Sequence, residues 1–179
     1  MRVIAGDLGG RRLRATGGRA VRPTADRVRE ALFSILGSAV ADARVLDLYA
    51  GTGALAIEAL SRGAREATCV EREPRALASL RRNVEDLALE GRVTILRGDA
   101  LQVCRRLAGD GATYDVVFCD PPYRAPVKPL GPALVEAAWW TTVSVLEHAS
   151  TTTPPPAPQG VAGDTRRYGD TAITFYWRR

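Results

Sequence analysis

The segment Asp120-Pro121-Pro122-Tyr123 is where residue type and spacing speak most directly of chemistry. Successive prolines fix φ and remove backbone N–H donors, so the segment is stiff and its carbonyls stay free to accept hydrogen bonds. A carboxylate beside such a carbonyl suits an exocyclic amine of a nucleic-acid base. That nitrogen is a poor nucleophile, because its lone pair is delocalised into the ring. The Asp120 carboxylate and the Pro121 carbonyl can each take one N–H and hold the nitrogen for in-line methyl transfer. The barrier then falls through positioning and electrostatics. Tyr123 can stack on the face of the base, and Asp120 can take the proton released. Pro122 completes the rigid turn.

A second group of residues points to the methyl donor. Gly51-x-Gly53-x-x-Ala56 follows an apolar run, and Glu71 lies 20 residues past Gly51. Taken literally, this matches a dinucleotide fingerprint with its ribose-binding acid, so a NAD-dependent oxidoreductase is a rival reading. Asp47 argues against it, because a carboxylate just before the loop repels a pyrophosphate. It suits S-adenosylmethionine, which carries an ammonium and a sulfonium and no phosphate. Asp99 adds an acid where an adenine amino group can be read. Asp47, Glu71, Asp99 and Asp120 all fall at carboxyl ends of expected strands, the rim along which open α/β sheets bind ligands.

The elements that must hold these residues alternate. Apolar runs at 45–48, 67–71, 93–96 and 114–119 read as strands, and helices are expected at about 54–60, after Pro74, and at 101–107. This is an α/β pattern with a mostly parallel sheet and helices on both faces. A helix near 130–138, a strand at 142–147 and a terminal strand at 171–176 continue it. Residues 150–160 hold Thr151-Thr152-Thr153-Pro154-Pro155-Pro156 and read as an exposed loop. Ahead of the sheet, segments 2–5 and 11–14 flank Asp7-Leu8-Gly9-Gly10 as a hairpin. A helix then starts near Thr24, with its stripe at Val28, Ala31, Leu32, Ile35 and Leu36, and ends at Gly37.

Net charge is +5, and residues 1–36 carry eight arginines against three acids while the remainder balances at 17 and 17. A basic segment on a neutral domain suggests a polyanionic partner. No apolar run approaches the ~20 residues of a membrane span, and the first residues do not read as a signal peptide. Cys69, Cys104 and Cys119 form no CxxC pair, so core thiols are expected rather than disulfides or zinc. His148 reads as a strand-end polar residue, and Trp139-Trp140 as packing.

With these residues assembled, the chain resembles class I methyltransferases bearing a D/N-P-P-Y motif. More narrowly, it resembles the RsmD-type 16S ribosomal RNA guanine-N2 methyltransferases. The matching segments are Met1–Gly6 with Gly10–Leu13, Arg22–Phe33, Asp47–Gly53, Asp120–Tyr123 and, more weakly, Tyr168–Thr171. Between Arg124 and Asp164 the sequence departs from the family.

The resemblance implies a Rossmann-like fold with a seven-stranded sheet. It implies a basic hairpin-and-helix extension (1–37) that touches RNA, followed by the cofactor domain (38–179). The implied cofactor set is Arg22, Thr24, Asp47, Tyr49, Gly51, Thr52, Gly53, Glu71, Arg72, Asp99, Ala100 and Asp120. The implied RNA set is Arg2, Arg11, Arg12, Arg14, Arg22 and Arg27. No metal is needed. The implied partner is 16S rRNA in the small subunit or an assembly intermediate, and a cytoplasmic monomer is expected. The tetrapeptide also serves adenine-N6 methyltransferases of DNA, which stay open, as does a purely RNA-binding module.

Overall fold

Short apolar strands at the centre of the chain build one sheet. The computed structural model describes residues 1–15, 23–122, 134 and 139–178. The strands are β1 (Arg44–Asp47), β2 (Glu66–Glu71), β3 (Val93–Arg97), β4 (Tyr114–Cys119), β5 (Trp140–Ala149), β6 (Val161–Tyr168) and β7 (Thr171–Arg178). Their order is β3-β2-β1-β4-β5-β7-β6. β1 to β5 pair in parallel, and β7 is antiparallel to both β5 and β6. β1 and β4 lie inside the sheet between core residues of both faces, which explains the apolar runs at 45–46 and 116–119.

Helices α1 (Pro23–Leu36), α2 (Ala54–Ser61) and α3 (Pro74–Asp86) contribute to the core on one face. α4 (Ala100–Gly109) contributes to the other, with Leu134, Trp139 and Trp140. α1 begins with Pro23, and Val28, Leu32, Phe33 and Leu36 are buried against the sheet residues. Gly37 ends it with a positive φ and opens a 3-10 turn at Gly37–Val40. Glu73 caps α3, its carboxylate accepting from the Ala76 amide at 2.6 Å. Asp99 caps α4 through the amides of Leu101 and Gln102.

Four expectations need adjusting. The N-terminal hairpin is a tight loop with a single antiparallel bridge, Arg2↔Arg12, rather than two strands. Its shape comes from docking onto α2 and α3, which local turn signals do not report. β6 was not expected: its sequence, Val161-Ala162-Gly163-Asp164-Thr165-Arg166-Arg167-Tyr168, is polar because it is an edge strand. The Pro-rich segment is only partly exposed, for Tyr176 Oη donates to the Pro155 carbonyl at 2.7 Å and ties it to β7. β5 is longer than its apolar run suggested. The helix expected near 130–138 lies outside the described residues, save that Leu134 is buried.

All three cysteines are free and buried, and Trp139 and Trp140 are core residues. His148 is buried too. Its Nδ1 donates to the Ala149 carbonyl, Nε2 is hydrogen-bonded to Thr174 Oγ1 at 2.9 Å, and the hydroxyls of Thr174 and Thr165 are bonded at 2.8 Å. This is a structural relay across β5, β7 and β6. Among the described residues no helix is long and apolar enough to cross a membrane.

Candidate active site

The turn after β1 is held from several sides. Leu48 donates to the Phe118 carbonyl and Ala50 to the Val70 carbonyl, tying the turn to β4 and β2. The Gly51 amide donates to Glu71 Oε2 at 2.8 Å. The Thr52 carbonyl accepts from Asn83 Nδ2 at 2.9 Å. Gly53, at φ +86°, caps α2 in a left-handed conformation, and a Cβ there would stand 2.5 Å from Leu80 Cδ1. Only glycine lets the loop sit this close to α3.

Around that loop the carboxyl ends of β1 to β4 bring together Asp47, Tyr49, Glu71, Arg72, Asp99, Ala100 and Asp120. Glu71 is fixed by three amides, those of Gly51, Arg72 and Glu73. Asp99 spends Oδ1 on the α4 cap and keeps Oδ2 3.4 Å from the exposed Arg72 guanidinium. Tyr49 is half-buried, and burial, then the neighbouring Cys119 and Asp99, push its hydroxyl up to about 12.

Asp47 is the anomaly of the rim. It is 1% exposed, and neither carboxylate oxygen makes a hydrogen bond among the described residues. Burial, followed by the nearby Asp120, pushes its carboxyl up to about 7, and the amides of Tyr49 and Ala56 offset part of that. Asp120, beyond the end of the adjacent β4, is likewise raised by burial. An unpaired buried carboxylate is costly. Two side by side are relieved by a cation, and a pyrophosphate would add to the repulsion. The donor set therefore fits the cationic cofactor expected from the sequence and not a dinucleotide.

Pro121 is buried and Pro122 exposed at the same rim. Arg22 and Tyr123 lie outside the described residues, as does the side chain of Thr24.

The N-terminal arm docks by buried polar groups that its own sequence does not reveal. Glu58, fully buried on α2, accepts from the amides of Ile4 and Ala5 at 2.7 and 3.1 Å and pairs with Arg62. Ser61 Oγ accepts from the Leu8 amide and donates to the Ala5 carbonyl. A Cβ at Gly6 would fall 1.8 Å from the Ser61 carbonyl oxygen. Asn83 Oδ1 accepts from the Arg14 amide at 2.7 Å, and its Nδ2 donates to the Arg14 carbonyl at 3.1 Å. A signal existed: Glu58 and Ser61 interrupt the apolar run of α2, and Asn83 adjoins the apolar stripe of α3.

This docking divides the arginines. Arg14 pairs with Asp86 at 2.7 Å, and Arg11 donates to the Asp86 carbonyl. Arg29 is buried and bound to Asp26 and the Arg2 carbonyl. Arg2, Arg12 and Arg27 have exposed side chains.

A family model described as Conserved hypothetical protein 95 matches residues 1–177. The chain is 39% identical over 124 residues to YlbH of Bacillus subtilis, covering 69% of this chain and 67% of that protein. It is 40% identical over 124 residues to the Ribosomal RNA small subunit methyltransferase D of Escherichia coli K12, covering 69% of this chain and 61% of the other. The matches thus span about three-fifths to two-thirds of these curated relatives. The solved structure of yhhF from Escherichia coli superposes with a TM-score of 0.86 at 31% identity, over 100% of this chain and 98% of the other.

Proposed function

We propose, because the chain belongs to the Conserved hypothetical protein 95 family of RsmD-type methyltransferases, that it methylates the exocyclic N2 of a guanine in 16S rRNA. Its seven-stranded, mostly parallel sheet is the Rossmann-like sheet of class I methyltransferases. The observation that carries the reading is the buried, unpaired Asp47 carboxylate beside Asp120, at the rim where the glycine loop opens.

S-adenosylmethionine, when bound, supplies an electrophilic methyl group. The residues that would hold it are Asp47 and the 51–53 loop for its charged part, with Glu71 at the ribose and Asp99 near the adenine. Arg72, Tyr49 and Ala100 border that set, and Arg22 and Thr24 belong to its mouth. The Asp120 carboxylate and the Pro121 carbonyl take the two N–H groups of the base amine. That fixes the nitrogen and directs its lone pair toward the methyl. Asp120, whose carboxyl is already raised by burial, accepts the proton as the new N–C bond forms. Pro121 and Pro122 keep the segment rigid, and Tyr123 stacks on the base.

The arm (1–37) is the RNA-contacting extension of the cofactor domain (38–179). Arg2, Arg12 and Arg27 are its principal phosphate contacts, with Arg11 and Arg14 partly engaged by Asp86 and Arg22 nearer the mouth. The partner is the small ribosomal subunit or its assembly intermediate, met in the cytoplasm by a monomer.

The deciding experiment transfers labelled methyl from S-adenosylmethionine to small subunits from cells lacking this gene, with naked rRNA, DNA and bulk protein alongside. N2-methylguanosine confined to small-subunit rRNA is the expected product. Label in DNA as N6-methyladenine, or no label in any acceptor, overturns the reading.

A further inference from the structure

Asn83 occupies a position that the reaction as described does not use. It lies on α3, is 1% exposed, and spends its whole amide on two distant segments. Oδ1 and one Nδ2 bond hold both backbone groups of Arg14, as a neighbouring strand would. The remaining Nδ2 bond holds the Thr52 carbonyl, between the two glycines of the cofactor loop. Gly51 and Gly53 both have positive φ, and the Gly53 amide closes the loop on the Ala50 carbonyl at 2.7 Å. Besides the backbone ties to β4 and β2, two side chains reach it: Glu71 holds the Gly51 amide and Asn83 the Thr52 carbonyl. One turn further along, Asp86 takes the Arg14 guanidinium at 2.7 Å, a second contact between the arm and α3.

We propose that Asn83 is a positioning residue that joins the RNA-facing arm to the cofactor loop, so that RNA and cofactor strengthen each other's binding. The inference rests on the RNA methyltransferase reading above. RNA that bears on the docked arm also bears on Arg14, and through one amide on Thr52. Cofactor that orders the loop does the reverse. Binding linkage of this kind is reciprocal, so either ligand can report it.

The test measures the affinity of the intact protein for labelled S-adenosylhomocysteine, with and without unmethylated small subunits. In the wild type, subunits raise that affinity by about fivefold or more. In Asn83→Ala the factor falls toward one. Asn83→Asp keeps an oxygen for the Arg14 amide and loses both donors, and its factor falls as well. Ser61→Ala loosens the arm without touching Asn83 and keeps the wild-type factor, a distinction that a merely structural role for Asn83 would not produce. A factor of one in the wild type overturns the proposal without any variant. So does an undiminished factor in either Asn83 variant, or an equal loss in Ser61→Ala. Methyl transfer assayed on the same samples separates the two levels. Absent transfer by the wild type sinks the proposed function, whereas normal transfer with no linkage sinks only the role of Asn83.

Discussion

Two regions of this molecule bury polar groups, and they treat them in opposite ways. In the seam between the N-terminal arm and α2 and α3, the buried Glu58, Ser61 and Asn83 have their hydrogen-bonding atoms matched to backbone groups of the arm. At the sheet rim, Asp47 is as deeply buried, yet both its oxygens lack a hydrogen bond among the described residues. The acid, hydroxyl and amide of the seam are satisfied within the chain, and Arg29 Nε is the buried seam donor left over among the described residues. The rim is incomplete and acquires its meaning from a ligand. Satisfaction of the buried carboxylate, more than burial itself, separates Glu58 in the seam from Asp47 at the rim.

Breaking the rim should abolish chemistry while sparing the fold. Asp120→Ala is expected to lower methyl transfer by about 10²–10⁴-fold. It should leave S-adenosylhomocysteine binding largely intact, and near-normal turnover would remove Asp120 from its role. Breaking the seam should do the reverse. Glu58→Ala orphans the amides of Ile4 and Ala5 and removes the partner of Arg62, and is expected to cost about 3–5 kcal/mol of stability by denaturant titration. A change within error would show that the arm is held by apolar contacts such as Val3 and Leu13 alone.

Asp47→Asn sharpens the contrast, because it should weaken cofactor and strengthen the apo fold together. The sign follows from the raised carboxyls of Asp47 and Asp120. Between the unfolded value of about 4 and the raised folded values, the folded state binds more protons than the unfolded state. Stability of the apo protein therefore falls as pH rises through that window, and is flat above it. Cofactor affinity rises over the same window as the carboxylates ionise. Asp47→Asn should flatten the stability profile, measured as urea midpoints from pH 4 to 8. An unchanged slope would assign the proton uptake elsewhere.

The smallest effect concerns the arginines that the seam leaves outward. Arg12→Ala should reduce the salt slope of RNA binding by about one. Arg14→Ala should change it less, because Asp86 already neutralises that guanidinium. Equal slopes would mean that RNA displaces Asp86.

Much of the rim was legible in the sequence because it is local. A glycine pair after an apolar run, acids at run ends and Asp120-Pro121-Pro122 each declare themselves within a few residues. The strands β1, β2 and β4 were legible for a similar reason, since burial makes most of their residues apolar, and the edge strand β3 was legible from Val93, Ile95 and Leu96. The seam was not, because Glu58 meets Ile4 and Asn83 meets Arg14 across more than fifty residues. An isolated buried acid or amide looks the same as a solvated one until its partners are known. β6 escaped for the opposite reason: at an edge, half of its surface faces water and its sequence carries no core pattern.

The relay at the far edge of the sheet has an experimental consequence. The chain contains one histidine, and its Nδ1 must carry the proton because it faces the Ala149 carbonyl. Nitrogen NMR of the ring should therefore show a single pair of signals, with Nδ1 bearing a proton. That pair is a natural reporter, needing no label chemistry or substitution, of whether the last two strands have closed onto β5. Followed during refolding, it would time the completion of the sheet separately from the docking of the arm.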